Sequence, residues 1–122
     1  MSLTTSREIL LSALQNADIQ AFYGLGAFTA PCARIFAAEP WVDRSGLANG
    51  RRTQRWEIWA VAGRTDSLAT FDDLEKMVIA IDKVVEGLQG WSSCTWRRPA
   101  VTDMGGTKYF ATRAVIETTQ EV

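Results

Sequence analysis

Between residues 67 and 88, apolar side chains recur mostly at steps of three and four: Leu68, Phe71, Leu74, Met77, Val78, Ile81, Val85 and Leu88. Only a helix of 3.6 residues per turn gathers such positions onto one side. Asp72, Asp73, Glu75, Lys76, Asp82, Lys83 and Glu86 fill much of the other side, which reads as a solvated face. Asp66 or Ser67 is placed to cap the start, and Gly90 to stop the end. A helix this amphipathic needs an apolar surface to cover, so the flanking segments decide the fold.

Those segments read as strands. Residues 51–63 alternate, with Trp56, Ile58, Ala60 and Ala62 on one face and Arg55, Glu57, Trp59 and Val61 on the other. Cys32 to Glu39 predicts a strand stopped by Pro40, and residues 20–23 a short edge strand before a break at Gly24, Gly26 and Pro31. Residues 40–50 predict a long loop holding Trp41 and closing on Asn49-Gly50. After the helix, Trp91 to Val101 predicts a strand with Pro99 near its end. Asp103 to Gly106 then predicts a turn, and Lys108 to Thr118 a last strand before a polar tail at 119–122. Near the start, Thr5-Ser6-Arg7-Glu8 fits a capping box, and Ile9, Leu10, Ala13, Leu14 and Ala17 follow at helical spacing, giving a helix over about 5–16. The expected fold is α+β: a two-layer sandwich in which two helices lie on one face of a largely antiparallel or mixed sheet, in the order α-β-β-β-α-β-β. No repeat or linker divides the 122 residues, so one domain is expected over 1–122. A compact monomer of this size exposes roughly 6,500 Å².

The chain has no histidine, which removes the usual general base and the commonest metal ligand. Cys32 and Cys94 form no C-x-x-C pair; a disulfide between them stays open, and two reduced, half-buried thiols are the simpler reading. Gly24-x-Gly26 lacks the rest of a dinucleotide fingerprint. The helix carboxylates have no companion ligands at metal spacing. No enzyme activity, cofactor or metal is therefore expected. The first residues have no basic region followed by an apolar run, and no stretch is long enough to span a membrane, so a chain used on the cytosolic side is expected.

Ten of the thirteen basic residues are arginine, and several interleave with the five tryptophans: Arg51-Arg52-Thr53-Gln54-Arg55-Trp56 and Trp96-Arg97-Arg98. Arginine and aromatic residues together stack single-stranded nucleic acid, and they also anchor protein interfaces. Thirteen basic residues against fourteen acidic give a net charge of −1, which favours the interface. The candidate interface residues are Trp41, Arg51, Arg52, Arg55, Glu57 and Trp59.

A series of segments then carries a resemblance. It runs from an N-terminal amphipathic helix to Pro31-Cys32-Ala33-Arg34-Ile35, Pro40-Trp41-Val42 and a glycine-containing loop. Next come Arg55-Trp56-Glu57-Ile58-Trp59-Ala60-Val61-Ala62-Gly63 and the helix pattern Leu74-x-x-Met77-Val78-x-x-Ile81-x-x-Val84-Val85-x-x-Leu88. Gly90-Trp91 and Tyr109-Phe110-Ala111-Thr112 complete it. The order of these pieces, over nearly the whole chain, resembles the small tail terminator (tail-completion) proteins of long-tailed bacteriophages, particularly phages of actinobacteria. The segment Phe22 to Ala30 departs from that pattern.

The resemblance implies a structural virion protein without a reaction. It implies a homo-oligomeric, hexameric ring at the head–tail interface, assembled in the host cytoplasm. The ring caps the tail tube, stops addition of tube protein, meets a head-completion or neck protein, and lets DNA pass without specific recognition. Two other readings stand beside it: another head–tail connector or neck protein, and a small nucleic-acid-binding α+β domain.

Overall fold

A computed structural model of the chain describes residues 3–24, 26–43, 51–64, 67–88, 90–92 and 94–121. The elements run α1 (Leu3–Asn16), β1 (Ala21–Tyr23), β2 (Cys32–Asp43), β3 (Arg51–Gly63), α2 (Leu68–Glu86), β4 (Thr95–Trp96), β5 (Ala100–Met104) and β6 (Thr107–Glu121). The fold is α+β, with one six-stranded mixed sheet ordered β1-β2-β3-β6 and with β4 and β5 both paired to β6. β1 runs parallel to β2, and the other pairs are antiparallel.

The alternation of β3 sets the layers. Trp56, Ile58, Ala60 and Ala62 are all buried in one cluster with Leu10 and Leu14 of α1 and Leu74, Ile81 and Val85 of α2. Both helices thus cover the same face. Ser67 caps α2, its hydroxyl accepting from the Thr70 amide at 3.3 Å. Gly87, not Gly90, is the C-cap: its amide returns to the Lys83 carbonyl, and the helix ends at Glu86, two residues before Leu88. Leu68 is 78% exposed. It stands six residues before Leu74, which rotates it roughly 120° off the buried stripe.

Other boundaries differ from expectation. α1 starts at Leu3, so Thr5 lies inside the helix and does not cap it. β2 continues through Pro40 to Asp43. Its register against β3 shifts between Ala37 and Val42, and a proline lacking an N–H is tolerated at such an irregularity. Trp41 is therefore a strand residue rather than a loop residue; 44–50 of the expected loop lie outside the described residues. The expected strand 91–101 is realised as an isolated bridge at Trp91, the two-residue β4, and β5, with Pro99 in the gap between the strands. β5 runs on through Asp103 and Met104, leaving only Gly105-Gly106 as the turn. Both glycines have positive φ (65° and 89°), as a two-residue hairpin turn requires. β6 absorbs the expected tail as far as Glu121, paired opposite Arg51. The chain exposes 7239 Å², more than the roughly 6,500 Å² of a compact monomer of its size.

Candidate functional site

Among the described residues no helix covers the second face of the sheet, and it is built in cross-strand rows. Cys32, Val61 and Ala111 face one another across β2, β3 and β6, and all three are buried. The next row is Arg34, Trp59 and Arg113, and the one after it Phe36, Glu57 and Val115. Arg55 and Glu117 continue the series as an ion pair of 3.2 Å.

Trp59 is fixed from three sides. Its indole N–H donates to Glu57 Oε1. The Arg113 guanidinium lies 5.2 Å from its ring centroid and reaches the other Glu57 oxygen at 3.5 Å. Phe36 meets it edge-on at 6.4 Å. The residue stays only half-buried in this frame. Cation–π and charged hydrogen-bond contacts of this kind are worth of order 1 kcal/mol each when partly exposed.

Arg34 is only 8% exposed, and among the described residues no ion pair engages it. It lies over the rings of Phe28 and Phe36, at 4.0 and 4.9 Å, and its Nη2 donates to the Gly24 carbonyl at 2.8 Å. Phe28 in turn packs on Tyr109 at 5.3 Å. Residues 26–30, beyond β1, are thus a flap over one end of this face, held at Phe28 by Arg34. Gly24 is required there, because a Cβ would lie 2.2 Å from the Phe36 ring.

Two shallow hollows, of about 390 and 260 Å³, share Trp59 and Thr102. Arg34, Arg97, Arg98 and Arg113 line them, with Glu57 and Asp103 as the acids. Glu57 is occupied by Trp59 and Arg113, and Asp103 accepts from the Gly106 amide at 2.9 Å. The face therefore has an excess of positive charge on a chain whose net charge is −1.

Of the residues expected at an interface, Arg55, Glu57 and Trp59 come together on this face. Trp41 does not join them. Its ring meets Trp56 edge-on at 5.9 Å, and Trp56 belongs to the helix-covered core. Trp41 stays 43% exposed, at the margin of that core. Arg51 and Arg52 lie in β3 opposite Glu121 and Gln120, with side chains outside those described. Arg34, Phe36, Thr102 and Arg113 were not anticipated, and Arg98 was read only as part of the Trp96-Arg97-Arg98 cluster. The signal for Arg34 was a lone cation between apolar neighbours in a strand, but its row partners depend on register.

The chemistry of nucleophiles is muted. Burial pushes the Cys32 thiol up to about 11, with Arg34 opposing the shift. Burial, then the charge and hydrogen bond of Asp82, push Cys94 up to about 12. Both are free thiols, packed on opposite faces of the sheet, Cys32 with Val61 and Cys94 against the helix-covered core. Asp82 itself is not simply solvated as expected: it accepts from the Trp96 indole N–H at 2.7 Å and so ties β4 to α2. Among the described residues no group of three or more His, Cys, Asp or Glu is set to hold a metal, and no helix is long and apolar enough to cross a membrane. No protein-family model matches the chain, and no curated protein matches it.

Proposed function

We propose that this chain is a structural virion protein, a ring-forming tail terminator that caps the tail tube and helps join tail to head. The observation that supports the reading is the helix-free face. A rigidly held, half-exposed tryptophan stands among arginines there, in the composition and rigidity of an interface anchor rather than of a reaction centre. A ring needs contacts between two different patches of each copy, closing on themselves. A chain with one helix-covered core and one open, anchored face suits that demand. The partners in this reading are further copies of the chain, the tail tube protein and a head-completion or neck protein.

The test is to co-express the chain with the major tail tube protein of the same genome and view the tubes by electron microscopy. Rings at one tube end and bounded tube lengths are expected. Tubes that grow without limit and carry no cap would end the terminator reading. Rings that bind the neck side but not the tube would move the chain to the other connectors.

A further inference from the structure

The outer flank of α2 complements the helix-free face. Leu68, Asp72, Glu75, Ile79 and Glu86 follow one another at helical spacing along one stripe, and all five are exposed. Leu68 and Ile79 are 78% and 56% exposed, unusual for large apolar side chains of a helix whose other side is fully packed. Lys76 and Lys83 border the stripe without entering its centre. Beside it runs a groove of about 280 Å³, walled by Phe71, Glu75, Val78 and Ile79 of α2 and by Trp96, Arg97 and Pro99. The exposed stripe itself is thus apolar and acidic, and the other face of the sheet, around Trp59, is hollow, aromatic and arginine-rich, with Arg97 at the edge where the groove and the hollow adjoin.

We infer that the α2 stripe of one copy docks on the helix-free sheet face of the next, with Asp72 and Glu75 meeting the arginines around Trp59. The proposal rests on the ring reading and names its subunit contact. The occupant is a second copy because both halves of the complementarity lie on this chain. Acidic ridge and basic hollow occupy different layers of the fold, so the contact is head-to-tail. Such contacts propagate from copy to copy and close when the rotation allows. Like-to-like pairing of either patch would set acid against acid or arginine against arginine, which is repulsive.

The experiment is a charge swap read by sedimentation of the full-length protein, with thermal melting to verify that each variant is folded. Arg98→Glu/Thr102→Glu makes the sheet face acidic; Asp72→Lys/Glu75→Lys makes the helix stripe basic. Arg98, Asp72 and Glu75 are exposed and Thr102 is half-exposed, so both variants are expected to fold. The wild type is expected to sediment as an oligomer that weakens as salt rises. Each variant alone is expected to sediment as a single chain, and an equimolar mixture to regain the oligomer. A wild type that stays a single chain at all concentrations overturns the proposal. So does a variant that self-associates alone, or a mixture that does not recover. Tight binding of a single-stranded oligonucleotide, lost in the sheet-face variant while self-association is unchanged, would give the face to nucleic acid and likewise overturn it. Recovery in the mixture together with uncapped tubes in the co-expression assay would instead keep the contact and remove the terminator role.

Discussion

The two faces of the sheet are made by the same three strands and solve different problems. On one, Trp56, Ile58, Ala60 and Ile116 are sealed under α1 and α2 chiefly by apolar contact, with the Trp96–Asp82 hydrogen bond tying β4 to α2. On the other, Trp59, Glu57 and Arg113 hold one another by cation–π, ion-pair and hydrogen-bond contacts, and Arg34 in the same row holds the flap at Phe28 over one end of it. Because side chains alternate with period two, a strand specifies its two faces independently. Stability is concentrated on the first face, which leaves the second free to carry an exposed anchor at little cost to folding.

The sharpest way to break the contrast is to charge the sealed face. Ile81→Asp buries an unpaired carboxylate among Leu74, Val85 and Ile58, at a cost of about 3–5 kcal/mol. Urea unfolding should show most of the stability lost; a midpoint equal to that of the parent would mean the helix face is misassigned.

On the open face the effect should divide differently. Trp59→Ala is expected to weaken self-association by roughly 2 kcal/mol or more while the isolated chain still melts cooperatively. Sedimentation and calorimetry on the same samples separate the two outcomes. A variant that unfolds as a monomer would make Trp59 part of the structural frame only.

The flap can be probed alone. Gly24→Ala forces the Phe36 ring to move and disturbs the Arg34 clamp, costing about 1–3 kcal/mol. Unchanged stability would show that Phe36 yields freely. A comparable but smaller loss, about 1–2 kcal/mol, is expected for Trp96→Phe, which removes the indole donor from half-buried Asp82. Thermal melts of both variants beside the parent measure these losses, and a Trp96→Phe midpoint equal to the parent's would show that the contact with Asp82 adds nothing.

The smallest effect concerns the thiols, one on each face. Both fold with the thiol held above its ordinary value of 9.0, at about 11 for Cys32 and about 12 for Cys94. The folded state therefore keeps protons that the unfolded chain releases. Their contribution to stability is fully present below about pH 9 and is lost as pH rises through 11 to 12. Alkylation of the native protein at pH 8, followed by mass spectrometry, should be slow at both sites compared with the urea-unfolded chain.

The long amphipathic helix, the alternation of residues 51–63 and the two-layer α+β arrangement were legible because periodicity acts locally and burial follows it. Ser67 as cap and Gly105-Gly106 as turn were legible for the same reason. Sequence by itself also determined that the chain has no histidine to offer, that arginine makes up ten of its thirteen basic residues and that it carries five tryptophans. Tertiary structure alone decided which of those residues meet. Trp41 looked like a loop anchor because Pro40 reads as a strand stop, yet the strand continues through an irregular register and sets Trp41 on Trp56. Arg34, Trp59 and Arg113, distant in the chain, form one row only because β2, β3 and β6 pair in one register out of several that the alternation permits. Strand pairing is a long-range choice made by the whole core, and no local pattern in the sequence encodes it.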